Sequence, residues 1–506
     1  MRIIYLPIDE RPCNTIYVER IAASTSDVEL LLPPTELLGN KKSPADTEQI
    51  WEWILEQAPL SEALILSIDL LVYGGLLPSR LHYLPEETGL KWMDRMRMFH
   101  KKFPNIRIYA SNLIMRTPKY SSSDEEPDYY EDWGREIFLN AFLQDKGRHI
   151  ELTEDEKREL QHIKQNLPKQ FVDDYESRRK FNRNINLQVL ELINEGVISF
   201  LVIPQDDSAE YGYTAQDQNI IVKKREQLRL FHQVHIYPGA DEVGATLLAR
   251  VYNDFHQKYP KIFPIWSSTL GAQLIPMYED RPFGESLKAH ILASGCHVAD
   301  SAETADIILA YNTPGRVMQE AWYQGKKDVT YSSFRNLLLF VEQMKSYLDR
   351  GKHVIVADSA YANGGDGNLI TLLDEAGILE QLTSYKGWNT NCNTLGSTIA
   401  QGVLGLDGLE QQMKENIIYH ILDDYFYQSE IRMKMVDDFL PEHNLTYFDL
   451  KDKADIVNQE RDRRLLICFE ETLKNSFQQV KFENLGSYAP WNRMFELGID
   501  LKVKFN

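Results

Sequence analysis

The chain has 506 residues, a formal net charge of −20 and a pI of about 5.1. So acidic a surface repels phosphate backbones and argues against nucleic acid as a partner. No apolar run is long enough to suggest a membrane span, and the composition, 43% hydrophobic and 26% charged, suits a large globular core.

The start, "MRIIYLPIDERPCN", has one basic residue, a short apolar run and then charges, which reads unlike a secretory leader. Its run over 2–9 predicts a first strand, ending at Asp9, Glu10 and Arg11. Further apolar, β-branched runs follow at 63–75, 106–115, 200–207, 234–242, 263–269, 306–312, 353–361 and 382–389. They are continuous rather than alternating, as parallel strands buried on both faces require. Amphipathic stretches separate them, which predicts an α/β fold.

Residues 121–196 break this rhythm and predict a helical insertion, a lid or a solvated decoration. "LTEDEKREL" carries a Thr N-cap signal there. After residue 403 the pattern turns to long helices and a tail that reads as strands around a turn. The expected organisation is therefore residues 1–403 as one catalytic domain and 404–506 as a small C-terminal helical and β module.

Eight strands would close a (β/α)8-like barrel, whereas more would suggest an open sheet with helices on both faces. Nearly every predicted strand ends in polar residues. In a barrel all those ends face one mouth, whereas an open sheet gathers them at a switch point. The spread of polar ends favours the barrel.

Two carboxylate pairs stand out at strand ends. "FLVIPQDDSAEYGY" sets Asp206 and Asp207 after one strand, and "VHIYPGADEVG" sets Asp241 and Glu242 after the next. Crowded carboxylates resist ionising together, so one is kept as an acid beside a charged neighbour, the split that acid/base catalysis uses. The bland reading is that each caps the helix that follows.

"SYKGWNTNCNTLG" gathers Trp388, Asn389, Asn391 and Asn393 in a glycine-bracketed turn. Amide side chains beside an indole face suit a sugar, although Asn also favours turns. "VADSAYANGGDGNLI" resembles a phosphate loop only superficially, so Asp358 and Asn363 read better as mouth residues. Asp9, Arg11, Arg80 and Asn112 complete the expected substrate-binding set, each arginine weighed equally as an ion-pair partner.

The twelve histidines and the cysteines Cys13, Cys296, Cys392 and Cys468 are scattered, without HExxH or CxxC. No metal, no cofactor and no disulfide framework is expected. A serine nucleophile lacks its GxSxG signature.

The segments "PIDERPCN", "PQDDSAEYG", "YPGADEVG", "ADSAYANGGD", "GWNTNCNTLG" and "APWNRMFE" together resemble a bacterial family of about this length, catalogued as a domain of unknown function. More locally, "VHIYPGADEV" resembles the strand-end Asp-Glu of β-N-acetylhexosaminidases. That resemblance implies Glu242 as general acid and Asp241 as the residue orienting the substrate's 2-acetamido group. Ala240 stands where that family has Gly. "IPQDDSAEYG" is similar to the paired Asp of the O-GlcNAc hydrolases, which implies Asp206 on the acetamido nitrogen and Asp207 as acid.

The expected function is a cytoplasmic, metal-independent glycoside hydrolase acting on a small, N-acetylated or otherwise simple glycan. Two other readings stay open: a metal-dependent amide or ester hydrolase using Asp206, Asp207, Asp241 and Asp358, and a non-catalytic carbohydrate-binding protein. The expected partner is a small carbohydrate, with no nucleic acid and no membrane; homo-oligomerisation is left open.

Overall fold

The apolar runs do become strands, and hydrogen bonding sorts them into two parallel sheets. The structure is a computed structural model describing residues 1–505. The first sheet takes Arg2–Leu6 (β1), Glu29–Leu31 (β2), Ala63–Ser67 (β3), Arg107–Ser111 (β4), Phe200–Gln205 (β5) and Val234–Pro238 (β6). Their order is β2-β1-β3-β4-β5-β6. The second takes Lys261–Trp266 (β7), His297–Val298 (β8), Ile307–Asn312 (β9), His353–Asp358 (β10) and Ser384–Lys386 (β11), in the order β11-β10-β9-β7-β8.

All nine runs read from the sequence are represented. Strands such as β3 and β5 are buried at every position, which is why their sequences do not alternate. Within these two sheets the strands not foreseen, β2 and β8, are short edge strands without a buried residue.

In each sheet the order reverses once, between β1 and β3 and between β7 and β9. Right-handed crossovers place the connections on either side of such a reversal on opposite faces of the sheet. The carboxyl ends at the reversal are where open α/β sheets bind ligands. The parallel α/β class is as expected, but these ladders do not show a closed ring of eight strands. Polar residues at every strand end do not distinguish one ring from two separate rows.

The chain divides into two compact units. The first holds Met1–Glu10, Glu29–Gly244 and Tyr278–Asp280; the second holds Arg11–Val28, Ala245–Met277 and the chain from Arg281 onward. The core of the first gathers Ile4, Leu64, Ile108 and Leu201 from its sheet. That of the second gathers Ile265, Ile308, Val356 and Tyr385 with the helical residues Ile417, Phe426 and Leu465.

The charged stretch at 121–196 belongs to the first unit and forms helices Tyr130–His149, Glu154–Asn166 and Lys169–Asn194. The Thr153 signal is realised as a capping box: Glu156 N–H donates to Thr153 Oγ1 at 3.2 Å, and Thr153 N–H donates to the Glu156 carboxylate at 2.9 Å.

Residues 404–505 lie in the second unit. They carry helices Glu410–His420 and Ala454–Thr472, a π-helix over Ile421–Ile431, and an antiparallel hairpin of Val480–Tyr488 (β12) with Gly498–Phe505 (β13). Among the described residues no helix is long and apolar enough to cross a membrane.

Packing at the start of helix Val243–His256 depends on a missing side chain. A Cβ at Gly244 would lie 2.1 Å from the hydroxyl of Tyr5 on β1, a ring that is 2% exposed. Gly244→Ala should therefore cost about 1–3 kcal/mol of overpacking. Alanine's helix preference returns only about 0.5–1 kcal/mol. Gly325→Ala meets nothing within 4 Å and is the control. Thermal melting should place Gly244→Ala clearly below wild type and Gly325→Ala beside it; equal melting of the two variants would refute the packing argument.

Candidate active site

The acid pair after β5 is built into a buried ionic network of the first unit. Arg80 donates through Nη2 to Asp206 Oδ2 at 2.7 Å, and through Nη1 to Glu125 Oε2 at 3.1 Å and Glu126 Oε1 at 3.2 Å. Arg116 donates to the same two glutamate oxygens, from Nη2 to Glu125 at 2.8 Å and from Nε to Glu126 at 2.9 Å. Its Nη1 donates to Asp207 Oδ2 at 3.2 Å. Each Asp therefore has its own arginine, and the glutamates bridge the two.

The helical insertion holds these arginines by their backbones. Tyr175 donates its hydroxyl to the Arg116 carbonyl at 2.9 Å, and Arg179 donates to the same oxygen at 3.0 Å. Arg178 reaches the Arg80 carbonyl at 3.1 Å, while Asn182 reaches that of Ser79 at 2.8 Å. Arg179 is neutralised by Asp217 at 2.8 Å. The insertion thus helps build the site.

Two carboxyls here are shifted upward. Burial, reinforced by the charge of Asp206, pushes Asp207 up to about 6 against the pull of Arg116 and Arg80. Asp207 sits in the left-handed region at φ 41°, a conformation that Asp tolerates better than most residues. Burial also pushes Asp69, just past β3, up to about 7, although Leu113 N–H donates to it at 2.9 Å and Asn112 Nδ2 at 3.4 Å. Asn112 in turn accepts from Asn186 of the insertion at 2.7 Å.

The second acid pair is held differently. β6 pairs with β5 so that Pro238 faces Gln205, which sets both acid pairs at the carboxyl ends of neighbouring strands. Yet the Glu242 carboxylate folds back to accept from Ala240 N–H at 3.0 Å, over a Gly239 whose Cβ would stand 2.2 Å from it. Asp241 is buried beside it, and Asp9 is buried after β1.

The remaining expected site residues belong to the second unit. Arg11 pairs with Glu496 at 3.3 Å and lies 4.8 Å over the Trp491 ring, which is the ion-pair reading of that residue. Asp358, at the end of β10, accepts from Asn312 at 2.8 Å, Tyr385 at 2.9 Å and Asp366 N–H at 2.8 Å. Burial and Asp366 push it up to about 7. Arg335 closes this network on Asn312 and Asp366.

Asn363 and Asn389 both occupy left-handed turn positions, and Asn363 N–H donates to the Asn389 carbonyl at 2.9 Å. Trp388 is 4% exposed and edge-on to Tyr17, so its ring lies in the core. Asn393 is buried in the first turn of helix Asn391–Leu404.

Glu125, Glu126 and Arg116 were not among the expected site residues. The signal of the two glutamates was the acidic stretch "SSSDEEPDYY", which reads as the start of a solvated insertion, and that of Arg116 was its place just past the third predicted strand. Among the described residues, no group of three or more His, Cys, Asp or Glu side chains is arranged to hold a metal ion.

The chain belongs to the family described as "Protein of unknown function (DUF4127)", whose model matches residues 3–500. No curated protein matches it.

The network makes two predictions. Removing Arg80 leaves Asp206 without its arginine and takes one of two cations from Glu125 and Glu126 in a buried place, which costs about 3–5 kcal/mol. The exposed pair of Arg97 with Glu195 is worth about 0–1 kcal/mol. Arg80→Ala should therefore melt far below Arg97→Ala, and comparable melting temperatures would show the network to be unimportant.

The second concerns pH. The Asp207 carboxyl is raised, so the folded state keeps its proton where the unfolded chain has lost it. The stability this adds is complete below the ordinary Asp value and is lost as pH rises through about 6. Between about pH 4 and about pH 7, wild type should lose more stability than Asp207→Asn. Melting curves of the two that stay parallel across that range would contradict the shift.

Proposed function

We propose that this DUF4127 chain hydrolyses a glycosidic bond, with Asp207 as general acid and Asp206 as the carboxylate that assists it. One observation carries the reading. Two adjacent carboxylates at a strand end are anchored by different arginines, and burial with neighbouring charge keeps a proton on Asp207 up to about pH 6. Each Asp uses only Oδ2 for its arginine, so Oδ1 of each remains for a substrate.

In this reading Asp207 protonates the leaving oxygen as the glycosidic bond breaks, then takes a proton from the attacking water as base. For an N-acetylated sugar, the acetamido oxygen attacks the anomeric carbon and Asp206 Oδ1 accepts from the acetamido N–H. The resemblance of "IPQDDSAEYG" to acetamido-assisted hydrolases supports this choice of sugar. Glu242 is less suited to the acid's role, because its carboxylate is already engaged by its own loop.

The test uses aryl glycosides, including aryl N-acetylglucosaminides. Asp207→Asn should lower kcat by roughly a hundred- to ten-thousand-fold on poor leaving groups. The loss should shrink on dinitrophenyl glycosides, whose leaving group needs no proton. A variant that stays folded and loses less than about tenfold on both would remove Asp207 as the acid. Tight glycan binding without turnover by wild type would favour a carbohydrate-binding protein instead.

A further inference from the structure

A second group of buried ionisable residues lies in the second unit, and the acid pair does not involve it. Lys386 is the last residue of β11 and is 1% exposed. Among the described residues its ammonium forms no ion pair and no hydrogen bond. A lysine is almost never fully buried unless it is paired, so leaving one unpaired is costly. Burial lowers its pKa well below the ordinary lysine value, with Arg20 adding to that and Asp424 opposing it.

Beside it stands a histidine held by a carboxylate. Asp424 lies in the π-helix, a rare form that favours functional sites. Its Oδ2 accepts from Gly387 N–H, the residue after Lys386, at 2.7 Å. His420 Nδ1 meets the same carboxyl at 3.0 Å. His420 is fully buried and its Nε2 has no partner. Whichever ring nitrogen carries the proton, a buried polar atom is left for something else to satisfy. Tyr17 presses its ring against the imidazole at 4.5 Å and hydrogen-bonds Asp423, the other acid of this helix.

We infer that Lys386 is a reactive amine that captures a small neutral aldehyde or ketone as an imine, with the Asp424–His420 pair moving protons beside it. Neutrality of the ligand follows from burial, which makes a charged ligand costly and pushes the carboxyls of Asp423 and Asp424 up, so that they hold their protons. The amine nitrogen attacks the carbonyl carbon, a C–N bond forms, and the C=O π pair moves to oxygen. That oxygen takes a proton; the nitrogen gives one up. A second proton, passed from the Asp424 carboxyl through His420 to the hydroxyl, lets it leave as water while the nitrogen lone pair forms C=N, and the iminium then returns its N–H proton to the same pair to leave the neutral imine. His420 Nε2 is the group available for these transfers, and burial lowers its pKa well below the ordinary histidine value, so it is neutral and able to accept. The titratable and charged groups around the site are Asp423, Asp424, His420, Tyr17, Tyr419 and Arg20.

The experiment treats the full-length protein near neutral pH with acetaldehyde and sodium cyanoborohydride, then maps ethylated lysines by mass spectrometry. Each pH unit by which an amine's pKa is lowered raises its neutral fraction about tenfold. Lys386 should therefore be ethylated at least about tenfold faster than the surface lysines, which serve as internal controls. His420→Gln should slow that labelling and steepen its dependence on pH, leaving the surface lysines unchanged. Lys386→Met should remove the fast phase and melt close to wild type, because it replaces a buried amine that has no hydrogen-bond partner. Ethylation of the surface lysines with Lys386 untouched would overturn the inference. So would a rate at Lys386 that ignores His420→Gln. Collapse of Lys386→Met would mark the lysine as a structural cation and count against the inference, while the wild-type labelling still decides whether the amine reacts.

Discussion

The first unit depends on two guanidinium groups that cannot give up their charge. Arginine stays protonated wherever it is buried, so Arg80 and Arg116 oblige the chain to bring carboxylates to them. Four arrive from two places in the sequence: Glu125 and Glu126 near the start of the insertion, and Asp206 and Asp207 after β5. The insertion then fixes the arginine backbones through Tyr175, Arg178 and Arg179, and the neighbouring Ser79 carbonyl through Asn182. Two cations against four carboxylates leave an excess of negative charge in a place with little water. Burial, reinforced by the charge of Asp206, holds the Asp207 proton against the two arginines, and the same crowded place supplies the network's candidate acid.

The second unit handles buried acids by another route. Asp358 is shielded by an amide, a phenol and a backbone N–H, with Arg335 held one step away on Asn312 and Asp366. Its proton is retained to about 7, so little charge has to be compensated. Asp424 follows the same logic, pushed up to about 8 by burial and held by Gly387 and His420. Neutral hydrogen-bond networks of this kind are tolerated only when nearly every member is satisfied. The unpaired atoms on Lys386 and His420 stand out for that reason.

Much of the candidate site was legible locally, because an acid that follows an apolar run must emerge at the carboxyl end of a strand. Asp206 and Asp207 could be placed that way, as could Asp358. The two acid pairs look alike in sequence, yet they are held differently. Gly239 lets the Glu242 carboxylate close on its own loop, whereas Asp207 faces an arginine 91 positions away. Trp388 and Asn389 suggested a sugar platform by composition; packing buried the indole against Tyr17 and gave the amide residue a turn's left-handed backbone. Lys386 was visible only as one charge inside an apolar run, and Asp424 as one of two acids in an apolar helix.

Sequence alone determined the class of fold, because parallel strands buried on both faces have to be continuous in β-branched and apolar residues, and each has to be followed by a helix. It also determined the capping of the insertion at Thr153, an interaction over three residues that needs no distant partner. Only the tertiary structure decided how the strands divide into two sheets, since pairing depends on which edges meet and not on what each strand contains. It likewise decided which carboxylates are protonated. A side chain's pKa is set by burial and by charges within a few ångströms, and some of those charges come from residues far apart in the sequence, as Asp207 and Arg116 are.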